Sequence, residues 1–142
     1  MLQSEILDVF YLRIAANLPP GFPSGRLFTG STAPQNEDIV LTPRIILTLL
    51  PATSAITTLG SDEVCRRREH GGTVFVAIHT PVQPGGDILG IQYAQHIQSL
   101  FQGRNTDAPL HYDNVAVRTT GRDGNAAFIT NVVTLYRLES VN

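Results

Sequence analysis

The sequence predicts an α+β fold, with two helices packed on one face of a mainly antiparallel sheet of about four or more strands. Two stretches, Glu5 to Asn17 and Asp87 to about Gly103, repeat apolar side chains at helical spacing. Several others alternate or run apolar in the manner of strands, and prolines and glycines punctuate the boundaries. The chain has 142 residues, 42% of them apolar and 15% charged. That suffices for one compact core and is too little for two ordinary domains, so residues 1–142 read as a single domain.

Ser4 suits an N-cap, and Ile6, Val9, Phe10, Ile14 and Leu18 then form one stripe until Pro19-Pro20-Gly21 stops the helix. A helix this short is marginal alone in water, so its stripe needs a sheet to lie on. Residues Pro19 to Pro43 hold five prolines, with apolar grip only at Leu27-Phe28 and Ile39-Val40-Leu41. They read as a long extended arm or loop with room for a short ribbon, and loops of this length in compact domains usually serve binding. Disorder in the free protein is the alternative.

Arg44 to Leu50 is an apolar strand closed by Pro51. A second strand runs from Val64 to Thr80, with Gly71-Gly72 reading as a bulge or bend. Pro81 to Gly86 is a turn, and Asp87 is placed to cap a helix whose face carries Ile91, Ala94, Ile97 and Phe101. Val115 to Thr120, the turn Gly121-Arg122-Asp123-Gly124 and Ala126 to Leu138 form a hairpin. At about 3.3 Å per residue the last strand would span about 43 Å. Strands usually hold about 3–10 residues, so its far end is expected to pass its own sheet or meet a neighbouring chain.

A net charge of −2 and a pI near 6.0 supply no global positive field, which disfavours sequence-independent binding to a phosphate backbone. No basic residue precedes Ile6, and Asp8 and Arg13 interrupt the apolar positions that follow, so no signal peptide is expected. The longest apolar runs, Ile45-Ile46-Leu47 and Leu49-Leu50, fall far below bilayer length. A lone cysteine, Cys65, fits a reducing compartment.

No residues converge on a catalytic pattern. His70, His79, His96 and His111 lack metal-site spacing. Asp62 and Glu63 beside Cys65 would raise a thiol's pKa rather than activate it. Gly85-Gly86 opens a helix, but no Walker lysine or G-x-G-x-x-G pattern accompanies it, and Asp87 would repel an anion. Arg66-Arg67-Arg68-Glu69 is the one dense charge cluster. It reads either as a solvated strand end or as an ion-pairing site between subunits, since the guanidinium fork matches carboxylates, with contact to DNA a lesser alternative.

Taken in order, the helix ending at Pro19-Pro20, the polar arm, the Arg44 to Leu50 strand, the arginine-led strand reaching Gly71-Gly72-Thr73-Val74-Phe75-Val76, the Pro84-Gly85-Gly86 turn, the helix closing on Leu100-Phe101 and the final hairpin resemble the tail terminator proteins of long-tailed bacteriophages. The resemblance spans nearly the whole chain and lies in architecture and loose patterning rather than a strict motif. It implies a virion structural protein without catalytic residues or cofactors: a homo-oligomeric ring, usually of six subunits, that caps the tail tube and docks it to the head-side connector. The expected partners are further copies of the chain, the tail tube protein and a connector or neck protein, with genomic DNA passing through without sequence-specific binding and no membrane involved. Assembly in the host cytoplasm and residence at the head-proximal end of the tail follow. The alternatives are a neck or tail-completion protein joining head and tail, and a small ligand-binding α+β domain or enzyme built around His79 and Gly85-Gly86. Local physics nominates Arg66, Arg67, Arg68, Glu69, Leu27, Phe28, Ile39, Val40 and Leu41 as interface residues.

Overall fold

A computed structural model of the chain describes residues 3–30, 40–51, 55–56, 67–102, 106–107, 110–123 and 126–141. The order is α1 (Gln3–Ala16), β1 (Leu27–Thr29), β2 (Arg44–Pro51), β3 (Ala55–Ile56), β4 (Arg67–Thr80), α2 (Gly86–Phe101), β5 (Thr106–Asp107), β6 (Leu110–Asp123) and β7 (Ala127–Val141). One seven-stranded sheet runs β1-β2-β4-β7-β6-β5, with β3 paired to β4 off that path. Every pairing is antiparallel except β1 with β2. The α+β architecture read from the sequence is the one observed, with both helices on one face of the sheet.

That face is closed by α1 through Ile6, Phe10 and Ile14 and by α2 through Tyr93, Ala94, Ile97 and Phe101. Beneath them lie Ile45, Leu47, Val74, Val76, Ile78, Tyr112, Val132 and Tyr136. The period of two along β2, β4 and β7 delivers these residues to one side. Phe10 sits 4.9 Å from Phe101 and 5.2 Å from Tyr112 between ring centroids, the latter edge to face, which joins the two helices to β6. The Arg13 guanidinium lies 5.3 Å from the centroids of both Phe101 and Tyr112, closing this aromatic cluster from the α1 side.

Two helix ends differ in chemistry. Asn17 terminates α1 by donating its backbone N–H to Ile14 and its side-chain amide to Arg13, after which Pro19 and Pro20 cannot continue the ladder. At α2 the cap is Gly85 in a left-handed conformation (φ +82°), not Asp87, whose carboxylate accepts only from the next amide, Ile88. Gly86 is required because a Cβ there would collide with the Pro81 carbonyl oxygen. Gly90 has the same role one turn on: its missing Cβ would stand 2.9 Å from Thr130 Oγ1, so α2 rides directly on the sheet.

The described parts of the arm pack on the sheet and helices. Phe22 is buried edge-on against Tyr93, Leu27 to Thr29 form β1 beside Ile45 to Leu47, and Arg26 donates to the carbonyls of Thr42 and Pro43. Residues 19–30 and 40–43 therefore belong to the body of the fold. Residues 31–39, including Ile39, lie outside the described residues.

Several strand boundaries depart from expectation. Gly71 and Gly72 pair regularly with Arg137 and Tyr136, so neither is a bulge. The bulges fall in β6, between Asp113 and Ala116 and between Thr119 and Gly121. Gly121, at φ +99°, sits inside the strand rather than in the turn. At the first irregularity the Val115 carbonyl accepts from the Gln98 side chain, which supplies the bond the disrupted ladder omits. The far end of β7 does not leave its sheet: Arg137 to Val141 continue to pair with Gly71 to Arg67.

Candidate assembly surface

Among the described residues no helix lies on the second face of the sheet. Its backbone register aligns four cross-strand rows over β2, β4, β7 and β6: Arg44–His79–Ile129–Gly121, Ile46–Ala77–Asn131–Arg118, Thr48–Phe75–Val133–Ala116 and Leu50–Thr73–Leu135–Asp113. Phe28 continues the second row onto β1 through its pairing with Ile46. The apolar residues here are half-buried by their neighbours or exposed, with Leu50 at 57% and Leu135 at 40%. Arginines frame them: Arg44 donates to His79 Nδ1 at 3.2 Å, the Arg26 guanidinium lies 5.7 Å from the Phe28 ring centroid, and Arg118 and Arg137 are exposed.

Hydrophobic side chains on both faces of a strand ordinarily signal burial on both sides. In β4 the core set Val74, Val76 and Ile78 alternates with Thr73, Phe75, Ala77 and His79, and in β7 the core set Thr130, Val132, Thr134 and Tyr136 alternates with Ile129, Asn131, Val133 and Leu135. The open face is therefore wide, partly apolar and bordered by charged residues of both signs, arginines beside the acid at the register position of Asp113, a composition suited to contact with another macromolecule. Sequence reasoning missed Phe75, Val133, Leu135, Arg118 and Arg137 as surface candidates. The available signal was the second apolar set in both long strands.

The nominated residues distribute unevenly. Leu27 packs toward the core and accepts from the Tyr11 hydroxyl at 3.4 Å, whereas Phe28 takes the register of the open face. Val40 is buried and its amide donates to Ala126, so it is a structural anchor; Leu41, 81% exposed, is a surface residue. Arg67, Arg68 and Glu69 open β4, where Arg68 pairs with Ile56 and Ser140, and Glu69 with Ala55 and Glu139. That stretch is interior to the sheet, so any partner would meet it from a face and not along an edge. Arg66 and Cys65 lie outside the described residues.

His79 and Gly85-Gly86 do not form a common site. His79 takes the register of the open face beside Arg44, while Gly86 is buried on the helical side, where its carbonyl accepts from Thr80 Oγ1 at 2.7 Å. His96 is spent on a helix-to-helix tie, its Nε2 2.8 Å from the Asn17 carbonyl. Among the described residues no three His, Cys, Asp or Glu side chains gather as a metal site, and no helix is long and apolar enough to cross a membrane. Burial raises the phenol pKa of Tyr93 and of Tyr136 above the usual 10.0.

No family model matches the chain, and no curated protein matches it. Solved structures do. One of them, which carries no descriptive name, is 18% identical with a TM-score of 0.60, and the likeness covers 100% of this chain and 99% of that one. Similarity at this level shows a shared fold along the full length and nothing of activity.

Proposed function

We propose that this chain is a virion structural protein, the subunit of a homo-oligomeric, six-membered ring that caps a phage tail tube and docks it to the head-side connector. The observation that carries the reading is the open sheet face, partly apolar and bordered by charged residues, opposite a face fully served by two helices. The ordered resemblance of the whole chain to tail terminators supports it. Ring assembly asks for broad surfaces on a rigid frame and for no reactive group, and the long β4–β7 ladder of 14 residue pairs supplies such a frame. On this reading the partners are further copies of the chain, the tube protein and a connector or neck protein. DNA passes through the ring without sequence-specific binding, and the protein resides at the head-proximal end of the virion tail.

Electron microscopy of tail tubes assembled with and without the purified chain tests this. The expected result is a ring at one end of each tube and tubes of uniform length. Binding to the connector with no effect on tube ends would instead favour the neck or tail-completion alternative, and binding to neither would reject the reading.

A further inference from the structure

We infer that the outer edge of β6 is a docking site for an extended segment of a partner protein, which adds a strand beside Val115 to Thr119. In β2, Ile45 donates to the Arg26 carbonyl and Leu47 accepts from Gly30, so the odd-numbered residues bond toward β1 and the even-numbered ones toward β4. Antiparallel pairing alternates this direction residue by residue. Through the unbroken registers of β4 and β7 the alternation turns Val132 toward β4, and Asn131 and Val133 toward β6. Ala116 and Arg118 then bond to β7, while Val117 aims both its backbone groups, and Thr119 its N–H, away from the sheet. Among the described residues no strand meets them, since β5 pairs only with Leu110 and His111.

The first position of this edge is held by a substitute. By the same alternation the Val115 carbonyl points outward, and it accepts from the Gln98 side-chain amide at 3.1 Å. A primary amide offers the same kind of donor as a peptide N–H, so Gln98 stands where the first bond of an incoming strand would form. The free groups of Val117 and Thr119 follow at strand spacing and continue that ladder. Irregularities after Asp113 and after Thr119 bound the stretch, which fits a short segment.

The flanking side chains define what fits. Val115 and Val117 pack against the core from the edge and stay half-buried, so an apolar, β-branched residue beside Val117 would extend the core. Arg118 is exposed on the opposite face, where an acidic residue of the incoming strand would meet it. A second copy is the poorer donor, because its described strands offer no matching edge. The outer edge of β2 is occupied by β1 at Ile45 and Leu47 and ends in Pro51, which has no N–H, and β1, β3 and β5 hold 3, 2 and 2 residues. Two β6 edges paired about Val117 would set Val115 against Thr119 in both halves and displace Gln98 twice. A strand on β6 uses neither face of the sheet, so this contact stands or falls apart from the ring.

Hydrogen exchange read by NMR on the full chain tests the site. In the free chain the Val117 and Thr119 amides should exchange fast, and those of Ala116 and Arg118 slowly. The probe is a seven-residue peptide, blocked at both ends, that alternates valine with glutamate and threonine. It should protect Val117 and Thr119. Gln98→Ala, which removes the competing amide, should bind the peptide about five-fold tighter, the net worth of one hydrogen bond. Val117→Pro should keep the fold, since that N–H serves no ladder bond, and should lose the peptide; if it does not fold, Thr119→Pro replaces it. A peptide that leaves both amides unprotected, or a Gln98→Ala variant that binds no tighter than the wild type, would overturn the site. Protection of Val117 and Thr119 that appears in the chain alone as its concentration rises would identify a second copy as the occupant and overturn the assignment to a partner protein.

Discussion

Gly72 lies against Tyr136 so closely that a Cβ on the glycine would stand 2.6 Å from the phenol oxygen and, at the same distance, from the Leu50 carbonyl oxygen. The absence of a side chain at this point lets β2 end across β4 while Tyr136 folds over the pair. Gly71 has one such neighbour, the Tyr136 carbonyl oxygen at 3.3 Å. Gly72→Ala should therefore lose about 1–3 kcal/mol by overpacking, and Gly71→Ala markedly less, measured by urea denaturation. Equal losses would remove the steric account.

Thr134 Oγ1 is buried without a hydrogen-bond partner. Thr134→Val keeps the shape and removes an unsatisfied hydroxyl, so stability should rise by about 1 kcal/mol. Thr80 is the control, since its hydroxyl donates to the Gly86 carbonyl; Thr80→Val should cost about 1 kcal/mol. Thermal unfolding of the two variants should shift in opposite directions.

Phe101 is fully enclosed by Phe10, Tyr112 and the Arg13 guanidinium. Phe101→Ala should cost about 3–5 kcal/mol. A loss within about 0.5 kcal/mol, the range of ordinary surface substitutions, would contradict the packing of α2.

The buried phenols of Tyr93 and Tyr136 set an alkaline limit. Their folded pKa values lie above 10.0, the value of an unperturbed phenol, so the folded chain holds protons that the unfolded chain releases. Stability from keeping these phenols neutral is fully present below pH 10.0 and declines as pH rises through the folded values. The denaturation midpoint followed from neutral pH upward should fall above that point, and the Tyr93→Phe and Tyr136→Phe variants should each show a shallower fall.

The helices were legible because their partner is a single sheet face, which imposes one unbroken stripe: Ile6, Phe10 and Ile14 kept their spacing from sequence to core. Gly90 and Tyr93 escaped notice in α2, since a glycine that admits Thr130 has no pattern of its own. The strand β1 was reduced to an apolar pair, as its three residues are fixed by Ile45 to Leu47, well along the chain. The strand expected from Val115 in fact starts at Leu110, and Tyr112 enters the aromatic cluster; polar neighbours mask this single inward residue in the sequence. The open face was the least visible part. In β4 and β7 both alternating sets are largely apolar, and only the register with β2 and the seat of the helices decides which set is covered.

The position of β7 also governs how the molecule comes into being. It stands between β4 and β6 at the middle of the sheet, yet it is synthesised after every strand it joins. Until residues 127–141 emerge from the ribosome, β4 has no partner on that side and β6 has none but β5. Such distant pairings form slowly, so the nascent chain carries two strands, the apolar β4 among them, whose protection arrives last. The consequence is a fold completed by its last strand, whose yield depends on how long the chain stays apart from its own copies before the centre is filled.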